Sequence, residues 1–145
     1  MTLSVRQLLL AVIILACPTA ALANIGEDIS QLRARYGSAK DMGSQMLFEH
    51  AGFSITVYFD GDHSAMEVFL RDSSDSGKSD ISQQDIDHIL AAESDGKTWD
   101  PVQLKTHNEK STWIRSDKKL IARFSPNMSG KTDGASVLVI MLNAK

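Results

Sequence analysis

The chain has 145 residues, of which 43% are hydrophobic and 23% are charged, and its formal net charge at pH 7 is −3. These values describe one ordinary globular domain and exclude a disordered chain or a fibrous repeat. The 15 basic side chains are outnumbered by 18 acidic ones. Because binding a phosphate backbone needs clustered Lys and Arg, no nucleic-acid partner is expected.

The first 23 residues have the features of a secretory signal peptide. Arg6 is their only charged residue, residues 8–16 form an apolar run, and Ala21-Leu22-Ala23 is a small-x-small cleavage site. The apolar run is shorter than the roughly 20 residues that a membrane-crossing helix needs, so no transmembrane span is expected. We therefore predict a signal peptide over 1–23 and a single periplasmic or secreted domain over 24–145.

Cys17 leaves a second processing route open. Ile14-Leu15-Ala16-Cys17 resembles the box at which lipoprotein signal peptidase cleaves, which would leave a lipid anchor on Cys17. Pro18 directly after the cysteine favours ordinary cleavage after Ala23 instead. Because the chain has one cysteine, that cleavage leaves no disulfide and no thiolate metal site.

A helix is predicted at the start of the secreted part, over residues 25–36. Asn24 stands three residues before Glu27, close to the spacing of a capping box, and Gly37 lies where a left-handed cap would end the helix. Apolar residues recur at helical spacing along one stripe: Ile25, Ile29, Leu32 and Tyr36. A polar loop over 38–45 and a short strand over 46–50 follow.

A β-hairpin is the clearest strand pattern, with its turn at Asp60-Gly61-Asp62. If the pairing of the two strands shifts by two residues, every side chain stays on the same face of the sheet. The pattern therefore predicts the two faces, although it does not determine which residues pair. The predicted core face carries Ile55, Val57, Met66 and Val68. The predicted opposite face carries Thr56, Tyr58, Glu67 and Phe69.

A second helix and more strands complete the pattern. Ser82 and Asp85 form a capping box, and Gly96 follows the last turn of the helix. The buried stripe of this helix is predicted to be Ile86, Ile89 and Leu90.

A second hairpin is predicted with Trp113, Leu120, Ala122 and Phe124 on one face and Ile114 and Ile121 on the other. Residues 135–142 are apolar on both faces, which is typical of a central strand.

The order of these elements predicts an α+β fold, an antiparallel sheet with two helices packed on one face. A degenerate α-βββ repeat is suggested by a match between Phe59-Asp60-Gly61 and Arg115-Ser116-Asp117 later in the chain.

Three groups of residues carry a resemblance to known proteins. They are Ala34-Arg35-Tyr36-Gly37, then Ile55-Thr56-Val57-x-Phe59-Asp60-Gly61, and Ile86-x-x-Ile89-Leu90 leading to Gly96-x-x-Trp99, with Trp113 and Asp117 beyond. Together they resemble short secreted bacterial proteins of no assigned function, and the resemblance implies no catalytic motif. The element order is also similar to the helix-plus-sheet repeats of β-lactamase-inhibitor-protein-like domains, which bind other proteins.

Two kinds of function are compatible with these patterns. No catalytic or metal-binding motif is present, so no catalytic residue, metal or cofactor is expected. The leading hypothesis is a non-enzymatic envelope protein that binds a protein partner or its own copy through the uncovered sheet face. The candidate partner-binding residues are Tyr58, Phe69, Ile114 and Ile121. Alternatively, these residues pack under the loops 38–45 and 97–110, and a pocket between helix and sheet binds or hydrolyses a small ligand through His50 or His107.

Overall fold

The computed structural model describes residues 25–71, 80–102, 111–126 and 135–144. The predicted signal peptide, the alternative lipid anchor at Cys17, and His107 lie outside the described residues. No helix within the described ranges is long and apolar enough to cross a membrane. In chain order the elements are α1 (Ile29–Tyr36), β1 (Ala39–Asp41), β2 (Gln45–His50), β3 (Phe53–Asp60), β4 (His63–Arg71), α2 (Gln83–Ala92), β5 (Trp99–Val102), β6 (Ser111–Arg115), β7 (Leu120–Ser125) and β8 (Val137–Leu142).

The strands form one eight-stranded sheet in the order β1-β2-β3-β4-β8-β7-β6-β5, and every neighbouring pair is antiparallel. This confirms the predicted α+β class with an antiparallel sheet. β8 lies between β4 and β7, which is the central position that its apolar sequence predicted.

Two edge strands replace predicted loops. β1 lies within the polar segment 38–45, and β5 lies where Trp99 and Pro101 follow α2. Proline lacks the N–H that a central strand must donate, and so it is tolerated at a sheet edge. The prediction of loops at both places is therefore wrong, because short polar edge strands lack the alternating pattern that reveals a strand.

The order of elements in the two halves is similar, since each helix precedes four antiparallel strands that end at the centre of the sheet. The sequence match that suggested a repeat, however, aligns the β3–β4 turn with the β6–β7 turn. These turns hold different places in the two halves, so an internal repeat stays a prediction.

α1 begins at Ile29, which makes the predicted start at residue 25 wrong. Asp28 caps the helix, because its Oδ1 accepts hydrogen bonds from the N–H groups of Ser30 and Gln31 at 2.8 and 2.9 Å. The residues before the cap are bound elsewhere, since Ser64 Oγ on β4 accepts from the N–H groups of Gly26 and Glu27 at 3.0 and 3.2 Å.

The predicted signals at two other helix ends are confirmed. α1 ends at Gly37, whose φ of 92° is a conformation that glycine adopts without strain. α2 begins after Ser82, whose Oγ accepts from the N–H of Asp85 at 3.1 Å while the Asp85 carboxylate accepts from the N–H of Ser82 at 2.9 Å. The predicted stripe of α2 is also buried: Ile86, Ile89 and Leu90.

A β-bulge changes the faces of the first hairpin. The turn is at Gly61-Asp62 as predicted, with Phe59 paired to Ser64, but Tyr58 pairs with Met66 and leaves Ala65 unpaired. One extra residue in a strand moves each side chain beyond it to the other face of the sheet.

The predicted faces of β4 are therefore wrong. Ile55 pairs with Phe69 and Val57 pairs with Glu67, so these four side chains share one face, and all of them are buried. Met66, predicted to be in the core, lies on the opposite face together with Val68. The faces of the second hairpin are confirmed, because the registers pair Trp113 with Ala122 and Ile114 with Ile121.

Both helices pack on the face that carries Ile55 and Phe69, which we call the helix-covered face. Its side chains and the helices share one core: Leu32, Tyr36, Met46, Phe48, Ile55, Val57, Phe69, Ile81, Ile86, Ile89, Leu90, Leu120, Ala122, Leu138 and Ile140. A side-chain hydrogen bond also connects α2 to β5, since Trp99 Nε1 donates to the carbonyl oxygen of Leu90 at 2.7 Å.

The opposite side of the sheet, which we call the far face, is apolar across its central strands. The cross-strand pairs form a continuous row of half-buried side chains, which we call the far-face row: Tyr58, Met66, Met141, Ile121 and Ile114. Because β8 carries apolar residues on both faces, it contributes to the core and to this row.

Candidate functional site

Ionisable side chains are concentrated between α1, α2 and the helix-covered face. Glu67 on β4 and Glu93 after the end of α2 are 0% and 1% exposed. Glu27, which precedes α1, and Arg35 and Tyr36 at the end of α1 complete a group that we call the carboxylate cluster. Charged residues are rarely buried to this extent unless they are paired with other charged or hydrogen-bonding groups.

Arg35 is the cation of the carboxylate cluster. Its guanidinium forms an ion pair with the carboxylate of Glu27, and its Nη1 lies 4.0 Å from Oε1 of Glu93. Since the cluster contains three carboxyl groups and one guanidinium, it carries a net negative charge when all of them are ionised.

Arg115 on β6 fixes the end of α2 without neutralising the cluster. Its Nη1 donates to the carbonyl oxygen of Glu93 at 3.2 Å. Its charge is balanced by Asp117, whose carboxylate accepts from Nε and Nη2 at 3.0 and 2.9 Å. Hydrogen bonding to Arg115 lowers the pKa of Asp117 to about 2.

The hydrogen-bonding capacity of the buried carboxyls is only partly used. Tyr36 Oη donates to Glu67 Oε2 at 2.7 Å. The other oxygen of Glu67 and both carboxylate oxygens of Glu93 have no hydrogen-bond partner among the residues that the structure describes. Buried polar atoms are normally satisfied, so three unsatisfied acceptors in one cluster distinguish it from ordinary core polarity.

Burial favours the protonated forms of the cluster residues. It raises the pKa of Glu67 to about 6, although the Tyr36 hydrogen bond and the Arg35 charge act in the opposite direction. Burial and the charge of Glu67 raise the pKa of Glu93 well above its ordinary value. Burial likewise raises the pKa of Tyr36, which therefore remains a protonated donor.

A cavity of about 380 Å³ lies next to the cluster, between the two helices and the β2–β3 turn. Its size falls within the range of small-molecule sites. The apolar part of its lining is Ala51, Phe53, Ile55, Phe69, Ile89 and Ala92, and the polar part is Arg35, Tyr36, His50, His88 and Glu93. Because His50, Ala51 and His88 are exposed whereas Tyr36 and Glu93 are buried, the histidines lie at the rim and the carboxyl lies at the inner end.

The structure separates the four predicted partner-binding residues. Tyr58, Ile114 and Ile121 lie on the far face and belong to the far-face row. Phe69 is 4% exposed, lies on the helix-covered face and lines the cavity. The bulge at Ala65 is the reason, because it places Phe69 inward.

His50, predicted for a helix–sheet pocket, lines the cavity, and its ring centroid lies 5.6 Å from that of Tyr36. Within the described ranges, no three His, Cys, Asp or Glu side chains are arranged as metal ligands.

The carboxylate cluster was not predicted from the sequence, although one signal for it was available. Glu93 follows Ile86, Ile89 and Leu90 at helical spacing and so continues the buried stripe of α2. The position of Glu67 could not be found in this way, since it depends on the bulge.

The chain matches no protein-family model, no curated protein and no solved structure.

Proposed function

We propose that the protein is an exported, non-enzymatic binding protein that holds a small molecule in the cavity between its helices and its sheet. The observation that carries this proposal is the carboxyl group of Glu93, which is buried at the inner end of a mostly apolar cavity, lies 4.0 Å from Nη1 of Arg35 and has no side-chain hydrogen-bond donor among the described residues.

A purely structural role explains Glu93 poorly. An unsatisfied buried carboxyl costs free energy, and well-packed apolar residues in place of buried charges often leave a protein equally or more stable. An acceptor that faces a cavity gains its hydrogen bonds when a ligand enters. Binding of a ligand therefore offsets a cost that the ligand-free fold carries.

The cavity lining favours binding over nucleophilic catalysis. The described lining residues include no Ser, Thr or Cys that could act as a nucleophile. They combine apolar walls with a few polar groups at one end, which is the usual composition of a binding site for a small organic molecule.

The proposal of export rests on the predicted signal peptide over 1–23. Cleavage after Ala23 would release the domain into the periplasm or the medium, whereas a lipidated Cys17 would tether it. The intact mass of the mature protein distinguishes a free Asn24 amino terminus from a diacylated Cys17.

A fluorescent probe tests the proposed cavity site. The uncharged probe N-phenyl-1-naphthylamine should bind the purified protein in a one-to-one complex. Ala92→Phe fills the cavity and should weaken binding at least tenfold, whereas Ala91→Phe, the same change at the adjacent exposed position, should not.

Amide chemical shifts on addition of the probe give a measurement that needs no variant. The largest changes should fall on Phe69, His88 and Ala92, which line the cavity. Absence of probe binding, or shifts confined to the far face, would contradict the proposed function.

A second candidate function is protein binding or self-association through the far face. The observation that favours it is the far-face row, which runs unbroken across five neighbouring strands on the side opposite both helices. Apolar surface of this extent on a secreted domain is typical of a contact between proteins. Three of the four predicted partner-binding residues belong to it: Tyr58, Ile114 and Ile121.

A further inference from the structure

We propose that the ligand of the cavity is an amphipathic organic cation, whose charged nitrogen binds Glu93 and whose apolar part packs against Phe53, Phe69 and Ile89. This inference rests on the proposed function and names the chemical class of the ligand.

The charge of the cluster favours a cation over an anion. Arg35 is the nearest positive group, but it is already ion-paired with Glu27 and faces Glu93. An incoming anion would compete with Glu27 for this guanidinium and would also approach the two buried carboxyl groups of Glu67 and Glu93. A cation, in contrast, compensates the excess of acidic groups.

The geometry of Glu93 provides the acceptors. Both of its carboxylate oxygens lack a hydrogen-bond partner among the described residues, and the side chain lines the cavity. A primary ammonium carries three N–H donors, so it can bind both oxygens at once. Charge-assisted hydrogen bonds of this kind are about twice as strong as neutral ones.

The walls of the cavity fit an organic cation better than a metal ion. Phe53 and Phe69 contribute aromatic rings to the lining, and aromatic faces attract cations as well as hydrocarbon. In the described parts of the chain, no group of three His, Cys, Asp or Glu is positioned to hold a metal ion.

Binding of a cation is coupled to release of a proton. Glu93 must be ionised to attract an ammonium, and its surroundings favour the protonated form. The charged and titratable groups around it are Glu27, Arg35 and Tyr36 at α1, His50 on β2, Glu67 on β4, His88 on α2, and Arg115 with Asp117 near β6. Affinity for the cation should therefore rise as the pH increases above the ordinary range of a carboxyl group, because the pKa of Glu93 is raised.

The test compares three ligands that differ only in the terminal group: 4-phenylbutylamine, 4-phenylbutanol and 4-phenylbutyrate. Each competes with N-phenyl-1-naphthylamine for the wild-type protein. We expect the amine to displace the probe at a concentration at least tenfold lower than the alcohol, and the carboxylate to be the weakest. Only the amine should gain affinity as the pH rises.

Glu93→Gln keeps the shape of the side chain and removes its charge. In this variant the amine and the alcohol should compete equally, and the pH dependence of amine binding should disappear. Glu49→Gln, an exposed control on β2, should behave as the wild type. A pH dependence that persists in Glu93→Gln would assign it to another titratable group, such as Glu67, and would contradict the role of Glu93.

The outcomes separate this inference from the proposed function. If the probe binds but the alcohol or the carboxylate competes as well as the amine, the ligand is not a cation, and the cavity site still stands. If the probe does not bind at all, both proposals fail.

Discussion

The hydroxyl group of Tyr36 on α1 donates a 2.7 Å hydrogen bond to Oε2 of Glu67, a carboxyl group buried in the central strand β4. This bond connects the first helix to the sheet through the carboxylate cluster. It also exists only because β4 carries Glu67 inward, so the docking of α1 and the acidity of the site depend on the same strand.

Removing the phenolic hydroxyl should weaken the fold in a pH-dependent way. Tyr36→Phe leaves Glu67 without this donor, which should lower the free energy of unfolding by about 1–3 kcal/mol at pH 7.5. The loss should be smaller at pH 5, because a protonated Glu67 is less costly to bury. Urea denaturation at the two pH values measures the difference, with Tyr58→Phe on the far face as the control. Equal losses at both pH values would show that the bond does not stabilise the ionised carboxyl.

The stability of the protein should fall as the pH rises from about 5 to 8. Glu67 and Glu93 have raised pKa values in the folded state, so above about pH 4.5 the folded protein binds more protons than the unfolded chain. The rise for Glu67, from 4.5 to about 6, corresponds to about 2 kcal/mol in total, which begins to be lost near pH 4.5 and is fully lost above about pH 6.

Carboxyl groups at the surface act in the opposite direction at lower pH. Hydrogen bonds lower the pKa values of Asp28, Asp85 and Asp117, and the stability that they contribute is lost as the pH falls through those values. The free energy of unfolding, measured by urea denaturation, should therefore be greatest near pH 5. Glu93→Gln should flatten the decline toward pH 8. A steady increase of stability up to pH 8 in the wild type would contradict buried carboxyls with raised pKa values.

The bulge at Ala65 predicts which aromatic residue of the first hairpin contributes most to stability. Phe69→Ala should cost about 3–5 kcal/mol, because the ring is buried in the core. Tyr58→Ala, on the half-buried far face, should cost less than half of that. Chemical denaturation of both variants at pH 5 measures the two costs. A regular hairpin without the bulge would give the reverse order.

Ser64 should be needed to hold the segment that precedes α1. Ser64→Ala removes the acceptor of the Glu27 N–H, and we expect a loss of about 1–3 kcal/mol in stability. The amide proton of Glu27 should then exchange with solvent at least tenfold faster, whereas the Gly26 N–H keeps its bond to the carbonyl oxygen of Ser64. Ser54→Ala on β3 is the matched control and should leave the exchange rate of Glu27 unchanged.

Self-association through the far face has its own test. If the far-face row binds a second copy, light scattering should detect a dimer whose fraction increases with concentration. Tyr58→Ser combined with Ile121→Ser should then yield a monomer. Ile29→Ser with Met42→Ser, a control pair of exposed apolar residues elsewhere, should not. A wild-type protein that is monomeric at every concentration removes self-association and leaves only a different protein as the partner.

Local signals predicted the fold where the determining contacts are themselves local. The cap at Ser82, the glycine at position 37 and the faces of the second hairpin each depend on residues that are close in sequence. The start of α1 was missed because Asn24 and Asp28 are both good caps, and the choice depends on Ser64, which lies far along the chain and binds Gly26 and Glu27.

The candidate site was harder to predict, because its acidic residues come from distant elements. Glu93 continues a helical stripe and could have been identified. Glu67 is polar between the apolar residues Met66 and Val68, so the alternation predicts that it faces outward. It faces the interior only because Ala65 is unpaired. Alanine has no side-chain feature that marks a bulge. The alternation of apolar residues therefore predicted Met66, and not Glu67, in the core.

The unpaired Ala65 has a consequence for comparisons between this chain and its homologues. In a homologue whose residue at position 65 pairs with β3, the bulge would be lost, and Met66 and Val68 would face the interior in place of Glu67 and Phe69 while every amino acid of β4 beyond that position stayed the same. Homologues should therefore be grouped by the presence of this bulge before the acidic position is compared, since two chains with identical β4 residues can differ in the polarity of their interiors.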